Sequence, residues 1–182
     1  MREQIRPLVA DDRGAVRAIV ERAGNFTAEE VATALELVDE WLADGESSGY
    51  LIYVLASGNS GAGPHVGGYV CFGPTPLTDG TYDLYWIAVD PACQGRGHGR
   101  RLLEFAEHEV RRRGGRLLLI ETSSQETYGS TIRFYERAGY ELVARIRDFY
   151  RVGDDKLVFA KDLARQRTGD AQAPRHTSAP RP

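Results

Sequence analysis

The apolar positions of this chain switch repeatedly between a period near 3.6 and a period of two, so helices and strands are expected to alternate. Val31, Leu35, Val38 and Leu42 recur at i, i+4, i+7 and i+11, one stripe of a helix. In front of them Thr27-Ala28-Glu29-Glu30 has the form of a capping box: the Thr27 hydroxyl serves the amide of Glu30, and Glu30 reaches back. Ala15, Val16, Ile19 and Val20 predict an earlier helix, running from Asp11-Asp12 to Gly24-Asn25. Leu102, Leu103, Ala106 and Val110 mark a third over residues 97–113. Its pairs Glu104/His108, Glu107/Arg111 and Glu109/Arg113 are expected on the outer surface. Three arginines in its last turn suit the helix dipole, and Gly114-Gly115 ends it. A fourth helix spans residues 127–138, up to Gly139.

Between the helices lie short branched and aromatic runs with the look of strands: residues 4–9, 50–56, 66–72, 83–89, 140–150 and 156–161. Residues 58–64, rich in glycine, make the second and third of these a hairpin, and Gly153-Asp154-Asp155 turns the last pair. Leu117 to Ile120 is a continuous apolar run, expected to be covered on both faces. The sum is an α/β (α+β) domain with a mixed sheet.

Composition narrows the class. The chain has 182 residues, 42% hydrophobic and 27% charged, which suits one globular domain with a sizeable core. Leu163 is the last large apolar residue; residues 164–182 carry Pro174, Pro180, Pro182 and no aromatic, and are read as a disordered tail behind a domain of residues 1–163. The net charge of −3 divides into a domain of −6 and a basic tail of +3, which argues against a broad nucleic-acid-binding surface. No apolar run approaches the ~20 residues of a membrane span, and the polar start lacks the apolar stretch of a signal peptide, so a cytoplasmic protein is expected. Cys71 and Cys93 are too few for a disulfide framework, and His65, His98, His108 and His176 have no metal-ligand spacing.

The chemistry concentrates in one stretch. Ile87, Ala88 and Val89 end a strand, Asp90-Pro91 follows, and Gln94-Gly95-Arg96-Gly97-His98-Gly99-Arg100 opens a helix. Free amides and the positive end of a helix dipole meet at such a junction, and three glycines let the backbone approach a ligand. Arg96, Arg100 and Arg101 add local positive charge to an acidic domain, which fits a polyphosphate ligand. No Gly-Lys-Ser/Thr triplet closes the loop, as a nucleoside-triphosphate loop needs, and Gly95-Arg96-Gly97-His98-Gly99 lacks the spacing of a dinucleotide fingerprint.

Gln94-x-x-Gly97-x-Gly99 behind the Val-Asp-Pro strand end, with Phe134-Tyr135-Glu136-Arg137-Ala138-Gly139-Tyr140 after it, resembles the GNAT superfamily of N-acetyltransferases, and most nearly its ribosomal-protein-alanine acetyltransferases. The resemblance covers roughly residues 2–163. It implies a mixed, largely antiparallel sheet of about six or seven strands flanked by about four helices. It implies acetyl-CoA as co-substrate, no metal, and direct transfer to a primary amine of a small molecule, amino acid or peptide. The main chain of Ile87, Ala88 and Val89 would pair with the pantetheine arm. Gln94, the amides of Gly95, Arg96, Gly97, His98 and Gly99, and Arg100 would hold the pyrophosphate, with Tyr135 protonating the leaving thiolate. The family's usual asparagine is replaced by Tyr128, so Thr131 or Ser130 would take over its cofactor contact.

The chemistry requires a neutral amine, a polarised carbonyl and an acid for the thiolate, with the amide of Val89 as oxyanion donor. No enzyme nucleophile is needed, so Cys93 reads as a small residue lining the loop. The same resemblance implies two candidates for general base, Glu121 where peptide amino-terminal members carry a glutamate and Asp83 where histone-type members carry one, with ordered water as the alternative to both. Tyr82, Tyr85, Asp148 and Tyr150 are expected along the acceptor cleft, where aromatics and acids suit a cationic amine. A terminal edge strand leaves a homodimer open. The alternative function is a non-catalytic acyl-CoA sensor.

Overall fold

The structure, a computed structural model, describes residues 3–24, 26–58 and 65–164. The expected tip of the glycine-rich loop and the tail from residue 165 onward lie outside the described residues. The chain forms β1 (Glu3–Pro7), α1 (Arg13–Ala23), α2 (Ala28–Asp44), β2 (Leu51–Ser57), β3 (His65–Pro74), β4 (Thr81–Val89), α3 (His98–Arg112), β5 (Leu117–Ser123), α4 (Gly129–Arg137), β6 (Glu141–Arg151) and β7 (Asp154–Asp162). The strands make one sheet in the order β1-β2-β3-β4-β5-β7-β6. Every neighbouring pair is antiparallel except β4 and β5, which lie at its centre.

Each face of the sheet carries two helices and its own core. Val16, Ile19 and Val20 of α1 and Ala34 and Val38 of α2 pack with Ile52, Val54, Tyr69 and Cys71. Leu102, Leu103, Ala106 and Val110 of α3 and Tyr135 of α4 pack on the other face with Val70, Phe72, Leu84, Leu118, Ile120 and Phe159. The capping box forms as expected: Thr27 Oγ1 accepts from the Glu30 amide at 3.2 Å, and Glu30 Oε2 accepts from the Thr27 amide at 2.7 Å. Arg6 ties β1 to the start of α1 through a two-pronged bond to the buried Asp12, at 2.6 and 2.8 Å. Burial opposes the charge of Asp12, but the Arg6 guanidinium and the Val9 amide outweigh it and hold the carboxyl below its ordinary range.

Three local expectations change. Glu107 and Glu109 are buried rather than outward: Glu107 accepts from Tyr140 Oη at 3.1 Å and Lys161 Nζ at 2.7 Å, while Arg112 reaches Glu109 at 2.7 Å. A carboxylate can face inward because cations and a phenol meet it there. The turn between β6 and β7 is Val152-Gly153, and Asp154 and Asp155 already belong to β7. On β5 Leu118 and Ile120 are fully buried, whereas Leu117 and Leu119 are half-buried.

The centre of the sheet positions the site. Residues Thr81 to Leu84 pair with Leu117 to Ile120, and there the β4–β5 register stops. Both strands continue, β4 to Val89 and β5 to Ser123. On the other side of β4, Cys71 faces Trp86 and Phe72 faces Leu84, so Tyr85 is an extra residue. A bulge of this kind bends the strand that carries it. The bend coincides with the point where β4 parts from β5, and a gap opens between them.

Candidate active site

The gap is a cleft of about 1190 Å³. Its walls are the free stretches of β4 and β5, the loop into α3, the start of α4, the start of α2 and the β6–β7 end. At one end the wall is main chain. Tyr85 to Val89 have no partner on β5, so one edge of β4 faces the gap. Gly95 and Gly97 have φ of 74° and 79°. A Cβ at either would meet nothing within 4 Å, so the left-handed backbone calls for glycine, not crowding. Gly97 caps α3 without any side chain on the amides of its first turn, which stay available to an anion.

The structure brings most of the expected residues to this wall: Ile87, Ala88, Val89, Gln94, Gly95, Gly97, Gly99, Arg100, Thr131 and Tyr135 line it, and so do Ser130 and Tyr128. Arg100 is exposed and bonded to Glu104 at 2.7 Å. Arg96 is not among the lining residues, and Arg101 binds Glu3 on β1 instead. His98 contributes its place in the loop, but its buried imidazole bonds Glu3 through Nε2 at 3.1 Å. Of the three expected arginines, Arg100 is the one that lines the cleft. A free strand edge, uncapped helix amides and this volume fit the long arm and pyrophosphate of coenzyme A. Among the described residues no group of three His, Cys, Asp or Glu is placed to hold a metal.

Tyr135 is buried at 4% exposure among Phe134, Tyr140 and Phe159, with the cleft beside it. Burial pushes its phenol well above the ordinary value, so at neutral pH it carries its proton. Cys93 is buried under the loop, and Cys71 lies in the core, where burial pushes its thiol above the ordinary value.

The opposite end is built from side chains of five elements. Phe26 ahead of α2 stands edge-on to Trp86 of β4, with ring centres 5.1 Å apart. Tyr85 meets Tyr50 at 5.4 Å, and burial, then Asp83, raises its phenol to about 12. Glu29 and Glu30 of α2, Glu121 of β5, Tyr150 of β6 and Asp154 of β7 complete the wall with Tyr128. Burial first, then Glu30 and Asp154, lifts the Tyr128 phenol to about 12. Tyr150 is raised by burial and by Glu121, Asp154 and Glu30, so these acids and phenols share one electrostatic neighbourhood. Glu121 is half exposed and paired with Lys156 at 2.5 Å.

Asp83, Tyr82 and Asp148 lie outside the cleft. The Asp83 carboxylate accepts from Thr75 Oγ1 at 2.6 Å, which leaves Glu121 as the candidate base that opens on the gap. Tyr82 packs over Gly115, whose Cβ would come within 2.8 Å of its ring. Asp148 organises the β6–β7 end: its Oδ1 accepts from the Gly153 amide at 2.6 Å, and its own amide donates to Asp155 at 2.9 Å. Sequence reasoning missed Phe26 and Glu30, because an apolar residue before a cap reads as a staple and a glutamate at N3 reads as part of the box.

A family model described as an acetyltransferase (GNAT) domain matches residues 48–142. The chain belongs to the GNAT acetyltransferase family. A crystal structure from Desulfovibrio desulfuricans assigned to the GNAT family of acetyltransferases is 46% identical, covers 89% of this chain and 99% of that one, and superposes with a TM-score of 0.83. The N-alpha-acetyltransferase RimI of Mycobacterium tuberculosis is 36% identical over 86 residues, 44% of this chain and 49% of that protein. The chain thus spans about half the length of the curated relative it matches. The Salmonella typhimurium yncA structure, solved with its cofactor acetyl-CoA, shares the fold at 24% identity, a TM-score of 0.66, and 93% and 99% coverage. The GNAT sheet and its helices are those found here, with seven strands and four α-helices among the described residues.

Proposed function

We propose that this GNAT domain transfers the acetyl group of acetyl-CoA to a primary amine by direct attack in a ternary complex. The observation that carries the reading is the convergence of a free β4 edge, the uncapped amides of α3 and the protonated Tyr135 on one cleft. The β4 edge pairs with the pantetheine arm as an added strand would. Amides from Gly95 to Gly99, with Arg100, hold the pyrophosphate, and the Val89 amide faces the thioester oxygen. Tyr135 gives its proton to the leaving sulfur. Glu121 receives the acceptor and takes its proton. The acceptor is a small amine, amino acid or peptide amino terminus, and the RimI likeness makes the last the first to try.

Thiol release from acetyl-CoA over amines, polyamines, aminoglycosides and alanine-terminated peptides tests this. Turnover on at least one is expected; tight acetyl-CoA binding with no turnover on any would make the domain an acyl-CoA sensor. We also propose a cytoplasmic location, in keeping with acetyl-CoA as donor; among the described residues no helix is long and apolar enough to cross a membrane. Self-association would use β6, which is one of the two sheet edges and exposes all eleven residues, Leu142, Val143, Ile146, Phe149 and Tyr150 among them. Sedimentation as a monomer at all concentrations would remove the homodimer from this reading.

A further inference from the structure

Glu121 lies one residue beyond the last β4–β5 pair, and its carboxylate opens on the gap. Beside it on β7, Val158 is opposite Glu121 and Lys156 opposite Ser123, so Lys156 sits on the diagonal of the same face. Lys156 Nζ is 2.5 Å from Glu121 Oε2 and 4.7 Å from the centre of the Phe149 ring. The Lys156 side chain is 16% exposed and that of Glu121 49%. The cation is thus the covered member of the pair, and the carboxylate is the member turned to the cleft.

At neutral pH a primary amine reaches the protein mainly as an ammonium, since its pKa is about 10.4 on an alkyl stem and about 8 at a peptide amino terminus. The carboxylate it meets at Glu121 already holds an ammonium on an alkyl stem. We propose that Lys156 is a resident stand-in for the acceptor's ammonium, and that an acceptor must displace it from Glu121 before transfer. This rests on the reading of Glu121 as the acceptor's contact, and it makes Lys156 a specificity-determining residue that acts through Glu121. Displacement is inexpensive, because a half-open ion pair contributes little and the Phe149 face retains the displaced cation. Phe149 is available because β6 breaks its register between Ile146 and Arg151, where Tyr150 also turns to the cleft. Glu30 and Asp154 share that neighbourhood, so an arriving cation meets acids from α2 and β7 as well. Amines with no further contact lose the competition; those that also touch Trp86, Tyr85 or Tyr150 win it.

The probe is a tripeptide amide with a free amino-terminal alanine, titrated calorimetrically into the CoA-saturated protein and assayed in parallel by thiol release. Lys156→Met is expected to tighten Kd and lower KM about fivefold, with kcat within twofold. Lys156→Arg keeps the parent values, and in a Glu121→Gln background Lys156→Met changes nothing. A gain in affinity cannot come from damaged folding. Equal or weaker binding in Lys156→Met, including no binding to either protein, overturns the proposal. If Glu121→Gln alone leaves Kd and turnover untouched, the proposal falls while acetyl transfer stands. If the fivefold gain appears but no thiol is released with any amine, the stand-in survives and the catalytic reading falls.

Discussion

The two ends of the cleft are made of different material. The end at α3 is main chain: a strand edge, two glycines with positive φ and the amides of one helical turn, most of it within thirteen consecutive residues. The end beyond Glu121 is side chains from α2, β4, β5, β6 and β7, which meet only when the sheet is complete. A backbone site tolerates surface change but not conformational change. A side-chain site is the reverse: each group can be exchanged at small cost, and the acceptor can be retuned without disturbing the donor end.

Substitutions can break that division. Tyr135→Phe, at the boundary between the ends, is expected to lower turnover about a hundredfold while CoA affinity stays within twofold by calorimetry. A matching loss of CoA binding would make Tyr135 a packing residue of α4. Gly97→Ala puts a Cβ on a left-handed backbone and should weaken CoA about tenfold, leaving the acceptor KM where it was. Tyr150→Leu should do the opposite on a smaller scale, raising the acceptor KM about threefold with CoA affinity unmoved. Crossed effects in either variant would show that the ends are one site.

The same division explains what could be read in advance. The Gln94–Gly99 loop, the capping box at Thr27 and the stripe of α3 are local, so spacing alone exposes them. Nothing local tells that Tyr82 and Asp83 lie off the cleft: strand alternation counts every residue, and the extra Tyr85 resets the count. Tyr82 and Leu84 share a core face with Ile87 and Val89, not with Trp86 and Ala88. Asp148, at φ 51°, breaks β6 in the same way and spends its side chain on the turn. Glu107 faces inward because of Lys161, fifty-four residues away, which no helical spacing reports.

The smallest effect on either end is expected from the pair that fastens β1 to α1. Asp12→Asn should cost about 3 kcal/mol of stability in denaturant melts and leave kcat and both affinities unchanged. Because the Asp12 carboxyl is held below its ordinary range, its contribution is complete above about pH 4 and is lost as pH falls further. The acid-unfolding midpoint should therefore move to higher pH in the variant.

Four residue pairs are all that join β4 to β5, against seven between β5 and β7. Mechanically the sheet is a book with a short spine: one leaf runs from β1 to β4, the other from β5 to β6, and the core under α3 binds them. A ligand lying along the open edge of β4 lengthens that spine. Its binding should therefore slow amide exchange across both leaves, in residues that never touch it.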